Sequence, residues 1–272
     1  MSLLSYNPRL PLAYFVDCFW LHEGCPSHAM ERVLPTGTMQ LIISLGDESL
    51  RVFDQETATK STGYGNSLLC GAHSQFSIID TAQQVALIGV HFRPGGASPF
   101  INIPAGELHN SHASLENIYG SYAQELRERL LEEKAPAGKF QVLERFLLEQ
   151  LVQATPSQPA VTFALNQFLR LQQGLKVADV IERTGFTARR FIEIFTDEVG
   201  LTPKLYSRVQ RFQAVLRLLS RAESIDWADA ALTCGYYDQS HFNNDFRSFS
   251  GMSPTKYVGL RSEYANHVRI ID

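Results

Sequence analysis

Apolar residues in the first 115 positions form short runs that glycine and proline interrupt. One run covers residues 39–45 and stops at Gly46, and another covers residues 85–92 and stops at the segment Arg93-Pro94-Gly95-Gly96. Both runs have the length of a β-strand and end in residues that favour turns. Several short strands at this spacing predict a β-sandwich or a β-barrel over residues 1–115.

The pattern changes to a helical one after residue 115. Residues 122–133 and 140–153 are rich in Leu, Glu, Gln and Arg and are predicted to be helices. Pro156 and Pro159 lie in a stretch of small polar residues, which stops a helix and predicts a linker. We therefore predict two domains. Residues 1–155 are β-rich with helices over about 116–153, and residues 156–272 form an all-α domain.

The second domain contains an internal repeat with a period of about 50 residues. Residues 177–186 resemble residues 227–236, and each copy continues into a second helix with equivalent residues at intervals of 4, 5, 3 and 3. These residues are Phe191, Phe195, Gly200, Pro203 and Tyr206 in the first copy, and Phe242, Phe246, Gly251, Pro254 and Tyr257 in the second. The repeat predicts two helix-turn-helix units, at about 175–200 and 225–251.

The physical chemistry of each copy favours this interpretation. Gly185 and Gly235 can adopt the left-handed conformation that ends a helix. Two phenylalanines four residues apart bury one face of the second helix and leave the other face exposed. Residues 203–220 have apolar positions every three or four residues and predict a long helix between the units. Two units that read one face of DNA should lie about 34 Å apart.

Polar side chains occupy the predicted outer faces of the two second helices. Guanidinium, amide and hydroxyl groups on such a face can read base edges in a major groove. The candidates are Arg189, Arg190 and Glu193 in the first unit, and Gln239, Ser240, His241, Asn243 and Asn244 in the second. Two alternatives stay open. Glu193 either contacts cytosine or orients the arginines through a salt bridge, and His241 either enters the groove or lies partly buried beside Phe242.

The charge of the chain differs between the two domains. The whole chain has a formal charge of −4, which by itself argues against a nucleic-acid partner. Residues 1–155 carry 10 Lys and Arg against 16 Asp and Glu, whereas residues 156–272 carry 14 against 12. Eleven of the 14 basic residues in the second domain are arginine, the side chain best suited to phosphate and guanine.

Over about residues 170–260 the sequence resembles the AraC/XylS family of bacterial transcription regulators, and the second copy carries the signature of that family. The matching residues are Gly235-Tyr236, Ser240-His241-Phe242, Phe246-Arg247, Gly251-Met252-Ser253-Pro254 and Tyr257. The resemblance implies two helix-turn-helix units on a linker helix that bind double-stranded DNA in adjacent major-groove segments. It adds Thr202, Ser253 and Arg247 to the DNA-binding candidates. It also implies a cytoplasmic activator, a homodimer and contact with RNA polymerase.

The first domain resembles an uncharacterised N-terminal domain of some family members. The matching segments are Phe19-Trp20, Leu34-Pro35-Thr36-Gly37 and Phe92-Arg93-Pro94-Gly95-Gly96. The resemblance implies a cupin-like barrel, followed by helices used for dimerisation, that senses a small molecule. The effector candidates are Trp20, Met39, Phe92 and Arg93. Plain core packing is the alternative for the first three, and an ion pair with a carboxylate is the alternative for Arg93.

Neither a metal site nor a cofactor is predicted. The four cysteines are scattered without a Cys-x-x-Cys pair, although a bridge between Cys18 and Cys25 is possible in principle. The histidines of the first domain leave one rival hypothesis, a metal-dependent cupin-type enzyme with an accessory helical domain. We predict no enzymatic activity. The sequence also shows neither a secretory signal nor an apolar run of transmembrane length, so no membrane association is expected.

Overall fold

The computed structural model describes residues 2–24, 28–82, 85–151, 157–168, 176–220, 225–262 and 264–270. Residues 154–156 of the predicted linker lie outside these ranges, as does Cys25, the predicted partner in a possible disulfide. Cys18 is present as a free thiol. The chain folds as predicted into a β-rich N-terminal part and a helical C-terminal part.

Two antiparallel sheets form the N-terminal part. The first has six strands, in the spatial order β1 (Ser2–Tyr6), β2 (Val16–Glu23), β9 (Ala86–Phe92), β4 (Gln40–Ser44), β7 (Ser67–Cys70) and β10 (His112–Ser114). The second has five, in the order β11 (His267–Arg269), β3 (Met30–Val33), β8 (Ser77–Asp80), β5 (Arg51–Phe53) and β6 (Ser61–Gly63). The strands separate into two sheets and do not close into one continuous barrel.

The first sheet buries one face against helices. Phe19 and Leu21 of β2 are buried, and the ring of Phe19 stacks with that of Phe140 at 6.5 Å between centroids. Trp20, between them in sequence, points to the opposite face because side chains alternate along a strand. Its ring lies across Gly89 of β9, where an added Cβ would come within 2.5 Å of Trp20 Cζ2. Glycine at this position therefore makes room for the indole.

Three helices follow the first sheet close to the predicted positions. They are α1 (Leu115–Tyr119), α2 (Ser121–Glu132) and α3 (Pro136–Leu151). The third begins four residues earlier than residue 140, because Pro136 occupies its first turn, where a missing N–H costs nothing. No described helix is both long enough and apolar enough to cross a membrane.

The described residues of the C-terminal domain form seven helices. They are α4 (Pro159–Phe168), α5 (Val177–Arg183), α6 (Ala188–Val199), α7 (Pro203–Leu219), α8 (Trp227–Thr233), α9 (Gln239–Ser250) and α10 (Pro254–Leu260). The pairs α5–α6 and α8–α9 are the two helix-turn-helix units, and α7 connects them. Gly185 and Gly235 have φ of 77° and 80° in the two turns. The left-handed turns expected from the repeat are present.

The C-terminal strand β11 differs from the prediction of an all-α second domain. After α10 the chain returns to the N-terminal part and pairs antiparallel with β3, with His267 opposite Val33 and Arg269 opposite Glu31. Without β11, strand β3 would expose an unpaired edge of backbone hydrogen-bonding groups. A three-residue strand is too short to give a periodic signal, so the sequence pattern did not reveal it.

Candidate nucleic-acid interface

The first unit presents its candidate residues at the start of α6. The Thr187 hydroxyl caps this helix by accepting a hydrogen bond from the Arg190 backbone N–H at 3.4 Å. Phe191 and Phe195 are fully buried and fix the rotation of the helix about its axis. Arg189 and Arg190 therefore face outward, with side chains that are 92% and 62% exposed.

Glu193 lies one helical turn after the two arginines and pairs with both. Its Oε1 atom is 3.3 Å from Arg189 Nε, and its Oε2 atom is 3.5 Å from Arg190 Nη1. The geometry thus matches the alternative in which Glu193 orients the arginines. Such exposed pairs contribute little to stability, so the arginines can exchange this carboxylate for a phosphate or a base.

The second unit presents mainly uncharged polar groups. Asp238 caps α9 by accepting a hydrogen bond from the His241 backbone N–H at 2.7 Å. Gln239, Ser240 and Asn244 are exposed, whereas Asn243 is half-buried. Amide side chains at these positions can form paired hydrogen bonds with adenine, so the two units present different chemistry to a groove.

His241 is also half-buried, and its neighbours differ from those expected. Its ring packs edge-on against Tyr236 at 5.2 Å between centroids, and its Nε2 atom is 3.9 Å from Asp245 Oδ2. The imidazole therefore lies at the border of the exposed face, beside Tyr236.

Thr202 and Ser253 occupy equivalent places in the two copies and play the same structural role. Each is the N-cap of the helix that follows its unit, where its hydroxyl accepts a hydrogen bond from a backbone N–H three residues later. The hydroxyl hydrogen is still available to donate to a phosphate. Arg247, near the end of α9, is exposed.

Sequence reasoning missed an ion pair that holds the second unit on α7. The Arg208 guanidinium donates to Asp245 Oδ1 from Nη2 at 2.7 Å and from Nε at 3.2 Å. The Asp245 side chain is only 6% exposed, and Arg208 also lies over the Phe249 ring at 5.2 Å. The pair fixes α9, which carries Gln239 and Asn244, relative to α7. An isolated Asp in a helical pattern gives no signal for such a partner 37 residues away.

The four effector candidates do not line one cavity. Met39 and Phe92 are buried in the main hydrophobic core. Trp20 packs in a separate small cluster with Leu50, Leu68 and Leu87. Arg93 is exposed, donates from Nε to the Ala13 carbonyl at 3.0 Å and has Nη2 3.8 Å from the Asp17 carboxylate. The structure thus separates these residues, and their role in effector binding stays a prediction.

A surface pocket of about 480 Å³ lies elsewhere in the N-terminal domain, where β6, β10 and α1 meet. It is lined by Tyr64, His112, Glu116 and their neighbours. The rings of Tyr64 and His112 are 5.5 Å apart, and burial lowers the pKa of His112 to about 4, so its imidazole is neutral at pH 7. Behind it, the His73 ring packs on His112 at 4.6 Å.

Comparison with known families supports the division into two domains. Residues 4–114 match a family described as a domain of unknown function, DUF6597. Residues 182–259 match a family described as a helix-turn-helix domain. This second match contains most of both units and all of α7, so it follows the repeat found in the sequence.

The chain is also similar to individual proteins. A probable transcriptional regulator, LumQ, of Photobacterium leiognathi is 30% identical over 87 residues, which is 32% of this chain and 35% of LumQ. The chain thus spans about a third of the length of that relative. The structure of ToxT from Vibrio cholerae covers 95% of this chain and 98% of ToxT, with 10% identity and a TM-score of 0.49. An AraC-type regulator from Chromobacterium violaceum covers 40% of this chain and 96% of its own, with 22% identity and a TM-score of 0.36.

The C-terminal domain is thus a double helix-turn-helix domain. Within it, residues 182–259 match the helix-turn-helix domain family, and residues 4–114 of the N-terminal domain match DUF6597. The resemblance noted in the sequence is confirmed.

Proposed function

We propose that this protein is a sequence-specific DNA-binding transcription regulator, whose helices α6 and α9 enter adjacent major-groove segments. The observation that carries the proposal is the repeat itself. Both copies bury their phenylalanine pair and expose polar side chains on the opposite face of the same helix. Two helices at equivalent positions of a repeat, each with an exposed polar face, match the arrangement that two adjacent major-groove segments require.

The two units contribute differently in this proposal. Arg190, Gln239 and Asn244 read base edges, and Arg189 and Arg247 neutralise phosphates. Thr202 and Ser253 donate their hydroxyl hydrogens to phosphate oxygens. Because the net charge of the domain is small, affinity depends on the placement of a few arginines rather than on bulk charge.

Selection of binding sites from random duplex DNA by the full chain, followed by gel shift, tests this function. We expect Arg190→Ala and Gln239→Ala each to weaken binding to the selected site by about 1–3 kcal/mol, which is roughly 5- to 150-fold. Arg189→Ala should instead weaken binding to all sequences alike and make it less sensitive to salt, because its guanidinium neutralises a phosphate. The control is Arg129→Ala, which removes an exposed arginine on α2.

Two results would contradict the proposal. One is failure to select any sequence above the random background. The other is that Arg190→Ala and Gln239→Ala both bind the selected site with the affinity of the parent protein, as the control Arg129→Ala does.

We also propose that a small molecule controls the protein by binding to the N-terminal domain, at the pocket beside Tyr64 and His112. The rings of Tyr64 and His112, tilted at 46° to each other, and the Glu116 carboxylate suit a small ring that carries hydrogen-bond donors. Glu116 Oε1 already accepts from the Ser67 hydroxyl at 3.3 Å, which orients it. Native mass spectrometry of the purified chain and of Tyr64→Ala tests this site. A ligand retained equally by both proteins would contradict it.

The remaining parts of the proposal concern the cellular context. We expect a cytoplasmic activator that binds DNA as a homodimer and contacts RNA polymerase. Analytical ultracentrifugation with and without the selected DNA checks the oligomeric state. A monomer bound to one copy of the site would remove the homodimer from the proposal.

The metal-dependent enzyme receives no specific support. Among the residues that the structure describes, no three His, Cys, Asp or Glu side chains are arranged to hold a metal ion. No observation therefore favours this second candidate function.

A further inference from the structure

A segment of the N-terminal domain touches both helix-turn-helix units at once. This segment, residues 71–76, connects β7 to β8 and is called the spacer segment below. A Cβ added to Gly200, at the end of α6, would lie 2.9 Å from Ala72 Cβ. A Cβ added to Gly251, at the end of α9, would lie 2.4 Å from Phe76 Cε1. The two ends of the spacer segment therefore press against the two units.

The two contact points are the same position of the repeat. Gly200 and Gly251 each follow the recognition helix of their unit, with φ of 88° and 68°. Both are left-handed C-caps, where glycine avoids a steric penalty. The absence of a Cβ has a second consequence here, because it allows the N-terminal domain to approach the backbone of both helix ends.

The N-terminal domain holds the spacer segment firmly. A Cβ at Gly71 would overlap the carbonyl oxygen of Leu108, so the backbones are in direct contact. The Ser74 backbone N–H donates to Asn110 Oδ1 at 2.7 Å, and the Ser74 hydroxyl is 3.0 Å from His109 Nε2. The segment is thus fastened at its first and middle residues.

The second contact is reinforced by an arginine of β3. The Arg32 guanidinium lies over the Phe76 ring at 4.7 Å and donates from Nη1 to the carbonyls of Ser250 and Gly251 at 3.5 and 3.4 Å. Arg32 therefore joins the far end of the spacer segment to the end of α9.

We propose that the spacer segment fixes the distance between α6 and α9, so that the N-terminal domain sets the geometry with which the two units meet DNA. Helix α7 links the units along the chain, and the spacer segment adds a connection between them through the N-terminal domain. The route to the proposed effector pocket is short, because His73 lies within the segment and packs on His112 of the pocket. The effect of the spacer segment on DNA binding and its link to an effector rest on the function proposed above. Its effect on the distance between α6 and α9 does not.

A distance measurement between the units tests the proposal without DNA. Asp197 and Ser248 are exposed and occupy equivalent positions in α6 and α9. Spin labels on Asp197→Cys and Ser248→Cys, with the native cysteines replaced, report the separation by double electron–electron resonance. We expect one narrow distance in the parent protein. Phe76→Ala should broaden or shift this distribution beyond the width of the parent peak.

A matched variant separates spacing from general destabilisation. Phe140 in α3 is 7% exposed, against 8% for Phe76, and it packs on Tyr6 and Phe19 away from both units. Phe140→Ala should leave the distance unchanged. Ala72→Val tests the contact of the spacer segment with α6, because it adds two methyl groups next to Gly200. This variant replaces Phe76→Ala in the measurement if Phe76→Ala does not fold.

An unchanged distance distribution in a folded Phe76→Ala or Ala72→Val protein would overturn the spacer role. The same shift in Phe140→Ala would also overturn it. Because the measurement uses the free protein, its outcome does not depend on finding a DNA site. Failure of the spacer role and failure of the proposed function are therefore observed separately.

Discussion

The ion pair between Arg208 and Asp245 offers the sharpest test of how the second recognition helix is held. The variant Asp245→Ala removes the carboxylate that receives the Arg208 guanidinium on α9. The perturbation is confined to the junction of α7 with α9, because the Cβ and the helical backbone stay in place. We expect the C-terminal domain to lose stability without losing its fold.

The magnitude follows from the exposure of the two partners. Hydrogen bonds between charged groups contribute about 1.5–3 kcal/mol to stability. Loss of one partner of a fully buried pair costs about 3–5 kcal/mol, because a charge is left without water. Arg208 is 33% exposed and can be rehydrated, so the lower range applies. Alanine also forms helix better than aspartate by roughly 0.5 kcal/mol. The net loss is about 2 kcal/mol.

Tryptophan fluorescence can follow this loss in the correct domain. The chain has two tryptophans. Trp227 stacks on Phe242 of the second unit at 6.1 Å, whereas Trp20 lies in the first sheet. A Trp20→Phe background leaves Trp227 as the reporter for urea unfolding of the C-terminal domain. The matched control is Asp197→Ala, which removes an exposed carboxylate from the equivalent helix α6. This control should change stability by less than about 0.5 kcal/mol.

Two results would refute the reasoning. If Asp245→Ala unfolds within about 0.5 kcal/mol of the parent, the pair does not hold α9. If Asp197→Ala loses as much as Asp245→Ala, the effect comes from carboxylate removal in general and not from this contact.

Three further predictions concern stability in other parts of the molecule. Burial acts to raise the pKa of Glu31, but hydrogen bonds and charges from His267 and His28 together lower it. Its stabilisation is therefore complete above the unfolded pKa of about 4.3 and is lost as pH falls through the folded pKa, so the melting temperatures of the parent and Glu31→Gln should converge on acidification. Burial lowers the pKa of His112 to about 4, so the parent should lose stability as pH falls from about 6.5 to 4, and His112→Gln should reduce this slope in urea titrations at pH 7 and pH 5. Gly251→Ala should cost at least about 1 kcal/mol in urea unfolding, whereas Gly259→Ala in α10, with open space around it, should be neutral or stabilising.

The sequence predicted the C-terminal domain well because its signals are local. Glycine at the left-handed turns and phenylalanine at i and i+4 each act within one helix or turn. Helix α7, predicted over residues 203–220, is observed over Pro203–Leu219. The effector candidates stay a prediction. A sequence pattern could not show whether their side chains lie together, because this depends on which face of a sheet each side chain occupies. Trp20 and Met39 lie on different sides, and only the strand register shows this.

Local patterns of this kind do not predict contacts between the domains. Two of the sequence motifs nevertheless include residues that form such contacts. The segments 34–37 and 92–96 were assigned to the N-terminal domain alone. In the structure, Gln213 Nε2 of α7 donates to the Pro35 carbonyl at 2.7 Å, and Gln210 Nε2 donates to the Thr36 carbonyl at 3.2 Å. A Cβ added to Gly37 would lie 3.2 Å from Val209 Cγ1 on the same helix, so the backbone of this segment packs closely on α7.

The second of these segments makes the corresponding contact with the first unit. A Cβ at Gly95 would lie 3.6 Å from both Glu198 and Val199, near the end of α6. The N-terminal domain therefore meets the first unit at Gly95 and Ala72, the linker helix at residues 35–37, and the second unit at Phe76, while β11 joins the C-terminal end of the chain to β3. With contacts on all three parts, a displacement within the N-terminal domain must strain or break a contact with the DNA-binding domain. On the function proposed above, this docking surface gives an effector bound to the N-terminal domain a physical route to the DNA-binding helices.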